Sequence, residues 1–470
     1  MRIDEAFDFI REVEKDFNLW EYEFAGFKPW PAARMESVFY LLYSDFGIST
    51  DNSPKKIRNS LKFLKKFFNT SKFFLKNNLM NITSSKNWFI TPISVERKDD
   101  EERSFNIFSD FFPKTWEKPV ISYNPNNRTY PGKKIINDLP MLSRFADITG
   151  SALKTLIKLP PYLPEKVATA ILRTISRRVI LATYIDKVIK LKNPSIIGSI
   201  TWYDEIKPFL FYAANRNGVI NFELQHGIIH LKHPGYVTGD KKIHLSKMVP
   251  GCIFTWGRIF KEVMVKNGTY WDPEKIIVSG YPWLSYNITH LELLRKKAYK
   301  KLEKLGIPAK KKVYVLTTQI DTEQIIVEDF SQLKIPDNCV LILKIHPAEK
   351  KWYTIAYKDL LKRKNIYAVT DDEVSLYELL SIAYAHITYF STVSWEAAAF
   401  GINNFIIDSP FTSLMSELIQ LKLAKVIKIP DLFDIEFEPS KKNILQAFEN
   451  LYDYERVIEI ILQVGEKCVA

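Results

Sequence analysis

Cysteine is scarce in this chain. The three cysteines, Cys252, Cys339 and Cys468, lie far apart in a sequence of 470 residues and have none of the spacings of metal ligands. Disulfide-built extracellular proteins carry much more cysteine, and their cysteines come in pairs. The low, odd count therefore indicates a reducing compartment and predicts a cytoplasmic protein.

Long apolar runs are also missing. A membrane-spanning helix needs about 18 consecutive apolar residues, and the most apolar window, 168–185, is interrupted by Arg173, Arg177 and Arg178. Residues 2–10, RIDEAFDFI, are acidic where a secretory signal would be basic and then apolar. We expect a protein that is cytoplasmic or bound at the inner face of the membrane.

Several catalytic signatures are absent. The sequence contains neither G-x-G-x-x-G nor G-x-x-x-x-G-K-[ST], which argues against a classical dinucleotide-binding or P-loop enzyme. It also lacks the G-x-S-x-G motif of many hydrolases. No Asp-x-Asp pair follows a predicted strand in the first half, so nothing there requires a divalent metal.

The composition is that of a large globular protein with an anionic partner. A chain of this length predicts two or more domains, and 46% hydrophobic residues supply an ample core. Lys and Arg (66) exceed Asp and Glu (54) by 12. This surplus favours a nucleotide, a lipid headgroup or a polyanion as partner.

The second half of the chain alternates short apolar runs with segments of helical length. The predicted strands are Val313–Leu316, Val340–Ile345, Ile366–Val369, His386–Phe390 and Asn404–Ile407. The predicted helices lie near 323–333, 351–363, 374–383 and 394–400. This alternation predicts a parallel sheet with helices on both faces, in which chemistry takes place at the carboxyl ends of the strands.

The same pattern occurs between residues 195 and 285. Predicted strands cover Ser195–Ile200, Val219–Leu224, Ile253–Trp256 and Lys275–Val278. We therefore expect a second α/β domain, with the chain crossing between domains near 285–312. A final helix is predicted over about 440–464, after Pro439.

Polar clusters follow four strands of the second half. They are Thr317-Thr318-Gln319, His346-Pro347, Thr370-Asp371-Asp372 and Ser391–Ser394. Parallel strands would bring these clusters to one sheet edge. The loop Ser391–Ser394 leads into a short helix carrying Glu396, an arrangement that suits a phosphate and a ribose diol. The alternative is that Ser394 only caps the helix and Glu396 only complements its dipole.

Two histidines stand at predicted strand ends. His226 precedes a glycine at the end of a strand, where an imidazole is well placed to act as a general base. The alternative is a core histidine with satisfied hydrogen bonds. His230 and His233 follow at spacings that can suit a metal, but no cysteine or carboxylate pair completes a site. His346 could hydrogen-bond a phosphate or stabilise a departing nucleotide.

Two further clusters have competing interpretations. Asp371, Asp372 and Glu373 could hold magnesium, although capping of the helix that begins near 374 is the preferred interpretation. Residues 55–76 interleave lysine with phenylalanine. They could lie on an anionic membrane surface or form a solvated helix face. No nucleic-acid-binding fold surrounds them, so nucleic acid is not an expected partner.

The motifs together resemble those of bacterial capsule and surface-polysaccharide glycosyltransferases of the GT-B architecture, related to the CDP-glycerol glycerophosphotransferases. The resemblance covers roughly residues 195–410, with KPWPAAR at 28–34 as an additional N-terminal feature. The matching segments are LQHGIIH, FTWGRIFKEVM, KIIVSGYPWL, VLTTQ, LKIHPAE and YFSTVSWEAAAFG. One departure is Tyr281-Pro282-Trp283, where relatives often place a basic residue after the proline.

The resemblance implies two Rossmann-like domains facing a cleft, with a C-terminal crossover helix. It implies an acceptor-side domain over 1–290, a donor-binding domain over 291–438 and a returning helix over 439–470. His226 and His346 are the implied catalytic residues. The resemblance implies His346, Ser391, Thr392 and Glu396 as donor-binding residues, and the clusters at the predicted strand ends add Thr318, Gln319 and Ser394 to this set.

The expected function is transfer of a sugar from a CMP-, CDP- or UDP-linked donor to a glycan or lipid-linked acceptor, with no other cofactor required. One alternative is a CDP-polyol phosphotransferase of the teichoic-acid type. Another is a nucleotide-sugar 2-epimerase, although the acids expected for proton abstraction are not evident. A non-catalytic glycan-binding assembly subunit is the alternative outside enzymes.

Overall fold

The computed structural model describes residues 3–42 apart from Ala25, short segments between 86 and 147, and residues 157–468 apart from Asp321. The basic segment 55–76 lies outside these described residues. The chain divides into two compact units. The first unit comprises residues 1–255, 259–279 and 458–470, and the second comprises 256–258 and 280–457.

The first unit is built on a doubly wound parallel sheet. Its strands are β1 (Asn87–Pro92), β2 (Glu96–Lys98), β3 (Ser104–Asn106), β4 (Val120–Ile121), β5 (Ile135–Ile136), β6 (Ile196–Ser199), β7 (Ile220–Leu224), β8 (Cys252–Thr255) and β9 (Ile276–Val278). Seven of them form a sheet in the order β5-β4-β1-β6-β7-β8-β9, and β2 and β3 form an antiparallel pair. Every pairing in the large sheet is parallel. The strand order reverses between β1 and β6, the switch point at which such sheets bind ligands.

Amphipathic helices accompany this sheet. They are α1 (Ile3–Phe17), α2 (Trp30–Leu42), α3 (Glu165–Arg177), α4 (Thr183–Lys192), α5 (Lys207–Arg216) and α6 (Arg258–Lys266). The apolar window 168–185 is part of α3 and α4, which a π-helical turn at Arg178–Ala182 connects. Arg177 is buried there against Glu36 and Asp147, at 2.8 and 2.7 Å. None of the described helices is long and apolar enough to cross a membrane.

The second unit contains another doubly wound sheet. Its strands are β10 (Lys312–Thr317), β11 (Cys339–Lys344), β12 (Ile366–Val369), β13 (Ala385–Thr388), β14 (Asn403–Ile407) and β15 (Lys425–Ile427). They pair in parallel in the order β12-β11-β10-β13-β14-β15. The order reverses between β10 and β13, so the switch point lies there. Both faces of the sheet are apolar, as expected for parallel strands covered by helices.

The helices of the second unit have between four and 14 residues. They are α7 (Pro282–Thr289), α8 (Leu291–Lys304), α9 (Glu323–Ser331), α10 (Tyr353–Ala356), α11 (Lys358–Leu361), α12 (Leu376–Ile382), α13 (Val393–Ala399), α14 (Ser416–Gln420) and α15 (Lys441–Ala447). All nine strands predicted from the sequence are present as β6–β14. The two parallel sheets confirm the predicted α/β class with two Rossmann-like domains.

The single helix predicted over 440–464 is wrong. The segment forms α15, then α16 (Tyr454–Leu462) and α17 (Val464–Lys467). Asn450 has a left-handed φ of 53°, which ends helical continuity, and Asp453 restarts it by accepting a hydrogen bond from the Arg456 N–H at 3.0 Å. Residues up to 457 belong to the second unit and residues 458–470 to the first.

Two of the three cysteines are bonded to each other. Cys252 on β8 and Cys468 after α17 form a disulfide, with 5.6 Å between their Cα atoms, and Cys339 is free and buried. Their separation of 216 residues in sequence gave no sign of this pairing. Disulfides are uncommon in reducing compartments. The cysteines therefore do not support the reducing compartment that their low, odd number indicated.

Candidate active site

The carboxyl edge of the second sheet collects the polar clusters that the sequence placed at strand ends. β10 pairs with β11 on one side and β13 on the other, with Thr317 opposite Lys344 and Leu316 opposite Ile387. The loops that follow these three strands therefore lie at one edge of the sheet, around its switch point. This edge is the expected ligand position in a doubly wound sheet.

His346 is held in a defined orientation at this edge. Its Nδ1 accepts a hydrogen bond from the Ala348 N–H at 3.2 Å, as part of a capping box with Glu349. The neutral ring must therefore carry its hydrogen on Nε2. Because His346 is partly exposed, Nε2–H is a suitable donor to a phosphate oxygen.

Thr318 and Gln319 follow β10 and differ in their burial and in their hydrogen bonds. The buried Thr318 hydroxyl donates to Glu349 and accepts from the His346 N–H at 2.9 Å. Thr318 thus positions the His346 backbone. Gln319 is half-buried, and its backbone N–H donates to the Thr322 hydroxyl at 3.1 Å.

The hydroxyl loop after β13 is mostly self-bonded. The Ser394 hydroxyl is fully buried and donates to the Ser391 carbonyl at 2.6 Å. The Ser391 hydroxyl accepts from the Val393 N–H at 3.3 Å. Thr392 is exposed, so its hydroxyl is the one that this loop presents to solvent.

Glu396 lies one turn into α13 and is half-buried. The buried Tyr377 hydroxyl donates a hydrogen bond to its Oε1. Burial, and then the charge of Glu396, raise the pKa of Tyr377 well above its usual value. Tyr377 therefore stays protonated as a donor and fixes the carboxylate. No motif or strand-end position in the sequence singles out Tyr377.

A second buried group supports the hydroxyl loop. His386 on β13 lies between Thr317 and Asn404: its Nε2 is 3.0 Å from the Thr317 hydroxyl and its Nδ1 is 2.9 Å from Asn404 Oδ1. Asn404 donates from Nδ2 to the Ser394 carbonyl at 2.7 Å. The network links the end of β10 to the loop after β13. This role of His386 was not expected from the sequence.

The acidic residues after β12 make contacts within the second unit. Glu373 accepts from the Thr370 N–H at 2.7 Å, and Asp371 pairs with the buried Lys344 at 2.5 Å. The cap of α12 is Ser375, in a capping box with Glu378, so the acids do not begin this helix as expected. Among the described residues, no group of three or more His, Cys, Asp or Glu side chains could hold a metal ion.

The candidate base of the first unit lies at the carboxyl edge of its sheet. His226 follows β7 and is partly exposed. Its Nε2 is 3.5 Å from the Tyr203 hydroxyl, and its Nδ1 is 3.4 Å from the Tyr236 hydroxyl. Burial, together with the charge of Lys207, lowers the pKa of His226 to about 4. At neutral pH the ring is therefore uncharged.

The neighbouring histidines have local hydrogen-bond partners. His230 Nδ1 accepts from the Lys232 N–H at 3.3 Å, and His233 Nδ1 accepts from the Gly235 N–H at 3.2 Å. His233 Nε2 is 3.4 Å from the Tyr203 hydroxyl, which His226 also approaches. The Nδ1 atom of each ring therefore has a backbone N–H as its hydrogen-bond partner.

The N-terminal segment KPWPAAR holds the loop that follows His226. Arg34 is fully buried and donates to the carbonyls of Pro234, Val237 and Thr238 at 2.7, 2.9 and 3.1 Å. Its charge is neutralised by Glu14 at 2.5 Å. Arg34 therefore fixes the backbone on both sides of Tyr236.

Several solved structures are similar to this chain. The wall teichoic acid polymerase TagF shares 14% identity over 90% of this chain and 92% of its own, with a TM-score of 0.46. The UDP-GlcNAc 2-epimerase of Methanocaldococcus jannaschii shares 13% identity over 80% and 99%, with a TM-score of 0.48. The UDP-GlcNAc 2-epimerase of Neisseria meningitidis shares 12% identity over 80% and 98%, with a TM-score of 0.46. No protein-family model and no curated protein matches the chain.

Proposed function

We propose that this chain is a glycosyltransferase that moves a sugar from a nucleotide-activated donor to a glycan or lipid-linked acceptor. One observation carries the proposal: the loops that hold His346 and residues 391–394 follow β11 and β13, on either side of β10, at the carboxyl edge of the second sheet, and Glu396 lies in the helix after the second loop. A hydrogen-bond donor and the polar groups of a loop suit the phosphates of a nucleotide, and a nearby carboxylate suits the hydroxyls of its ribose.

The donor-binding roles follow from the orientation of each group. His346 donates from Nε2 to a phosphate oxygen and offsets charge that develops on the departing nucleotide. Thr392 and the backbone of its loop bind the same phosphates. Glu396, fixed by Tyr377, accepts hydrogen bonds from the ribose hydroxyls. Ser391, Ser394 and Thr318 support these contacts mainly through the fold, and Gln319 borders the site.

We assign deprotonation of the acceptor to His226 in the first unit. An uncharged imidazole at a strand end accepts the proton of an acceptor hydroxyl as that oxygen bonds to the sugar. The bond from the sugar to the nucleotide phosphate breaks, and the electron pair leaves with the nucleotide. The remaining catalytic effect is positioning and electrostatic stabilisation.

The products of the reaction test the proposal. The purified chain is incubated with nucleotide sugars and CDP-glycerol, together with glycan acceptors, and the released nucleotide is identified by chromatography. Acceptor-dependent release of UDP or CDP from the corresponding nucleotide sugar, or of CMP from a CMP-linked sugar, supports sugar transfer. Release of CMP from CDP-glycerol instead indicates a polyol phosphotransferase, since the pyrophosphate bond is then cleaved.

The remaining alternatives give different products in the same experiment. A 2-epimerase converts the nucleotide sugar without any acceptor, and a glycan-binding subunit releases no nucleotide. Within the proposal, the acceptor belongs to a capsule or similar surface glycan, and the protein works on the cytoplasmic side of the membrane. Contact of residues 55–76 with anionic lipid is part of this proposal.

A further inference from the structure

A chain of buried polar groups leads from His226 into the core of the first unit. Glu223 is the fourth residue of β7, and its side chain is fully buried. The Tyr236 hydroxyl, also fully buried, donates to Glu223 Oε1 at 2.7 Å and lies 3.4 Å from His226 Nδ1. None of these contacts was expected from the sequence, which singled out only His226.

The hydrogen bond from Tyr236 to Glu223 favours one tautomer of His226. A tyrosine hydroxyl has one hydrogen, and Tyr236 gives its hydrogen to Glu223. The Tyr236 oxygen is then left to accept, which favours the neutral ring with its hydrogen on Nδ1, 3.4 Å away. The lone pair is left on Nε2, the nitrogen that a general base would use.

We propose that Glu223 and Tyr236 are positioning residues that hold His226 in the Nδ1–H tautomer, so that the lone pair of Nε2, the nitrogen beside the Tyr203 hydroxyl, takes the acceptor's proton. This inference rests on the proposed function, in which His226 is the general base. In the step, the acceptor O–H bond breaks as an Nε2–H bond forms, and the resulting imidazolium is stabilised through Tyr236.

The other groups around His226 are compatible with this role. The Tyr203 hydroxyl lies 3.5 Å from His226 Nε2 and 3.4 Å from His233 Nε2. Lys207 is a cation whose charge acts on His226, and it pairs with Asp204 at 3.0 Å and donates to the Ile200 carbonyl at 2.6 Å. Burial raises the pKa of Glu223 to about 8. An ionised Glu223 only accepts, whereas a protonated Glu223 accepts from Tyr236 on its carbonyl oxygen and directs its own O–H elsewhere in the assigned arrangement.

Three variants separate this role from simple packing. Tyr236→Phe keeps the ring but removes the hydroxyl. Glu223→Leu removes the acceptor oxygen, whereas Glu223→Gln keeps one. Tyr212→Phe is the matched control, because it removes a buried hydroxyl of the same unit that contacts Arg178 instead.

The first readout is the tautomer of His226, measured by NMR on protein with ¹⁵N-labelled histidine and assigned by the signal lost in His226→Gln. We expect the Nδ1–H form in the wild type, Tyr212→Phe and Glu223→Gln, and a mixture of tautomers in Tyr236→Phe and Glu223→Leu. A wild type in the Nε2–H form, or an unchanged tautomer in both disruptive variants, would overturn the proposal.

The second readout is the transfer rate. Tyr236→Phe and Glu223→Leu should lower kcat by about 10- to 100-fold, less than the 10²–10⁴-fold expected for loss of the base itself. The KM for the donor should not change, and Glu223→Gln should restore most of kcat. A wild type that showed the Nδ1–H tautomer but no transfer activity would refute the proposed function. It would still support the hydrogen bonds from His226 through Tyr236 to Glu223. Wild-type kcat in Tyr236→Phe would refute the chain's role.

Discussion

His386 and Asn404 form a hydrogen bond of 2.9 Å, from imidazole Nδ1 to amide Oδ1, in the core of the second unit. The direction of this bond follows from its surroundings. Asn404 uses its amide hydrogens on the carbonyls of Ser394 and Leu423, so its oxygen faces His386 and accepts from Nδ1–H. The pair connects the sheet to the loop that we assign to the donor phosphates.

This pair makes stability depend on pH. Burial lowers the pKa of His386 to about 4 in the folded state, whereas an unfolded histidine titrates near 6.5. Between these values the unfolded chain binds a proton that the folded chain does not, so stability is complete above about pH 6.5 and falls towards pH 4. The loss from this residue is at most about 3 kcal/mol.

Urea unfolding at pH 7 and pH 5 measures the effect. The wild type should lose more stability over this interval than His386→Asn, which has no titrating group there. Contributions from carboxylates and from His226 are common to both proteins and cancel in the comparison. An equal loss in both would show that His386 is not held neutral by the fold.

Arg34 should be essential for the stability of the first unit. Replacement by Met leaves the buried Glu14 without its cation and three carbonyls without their donor. We expect a loss of about 3–5 kcal/mol in the free energy of unfolding, measured by chemical denaturation. Arg178→Met is the control, since Arg178 makes ring contacts rather than this carbonyl clamp. A loss no larger than the control's would contradict the assigned role of Arg34.

The disulfide can be tested by counting thiols. The protein is purified under thiol-blocking conditions and then unfolded without reductant. One cysteine, Cys339, should then be counted as a free thiol or as an alkylated site. Reduction should release the two thiols of Cys252 and Cys468. Cys468→Ser should give two thiols before reduction. Loss of the bond should cost at most about 5 kcal/mol, since it closes a loop of 216 residues. Three thiols in the unreduced wild type would show that the bond is absent.

The sequence predicted the parts of the fold that are local. The strands β6–β14 were recognisable because each is an apolar run next to a helical segment. β4 and β5 have only two residues each and so show no pattern. The helix over 440–464 was overextended because apolar spacing continues through Asn450, whose left-handed backbone that spacing does not reveal.

The same distinction applies to the candidate site. His226, His346 and Glu396 could be identified because each stands at or just after a strand end. Their supports could not: Tyr377 is 19 residues from Glu396, and Tyr236 reaches His226 across a ten-residue loop. Such contacts depend on how loops fold back on the sheet, which strand periodicity does not encode.

Calorimetric titration with CMP, CDP, UDP and GDP tests the central claim, that the second unit binds a nucleotide through Glu396 and its neighbours. We expect one base to bind, and Glu396→Ala to weaken that binding by roughly 5- to 150-fold, the equivalent of about 1–3 kcal/mol. The exposed Glu303→Ala on α8 should bind as the wild type does. Binding of none of the four nucleotides, or binding that Glu396→Ala leaves unchanged, would contradict the account.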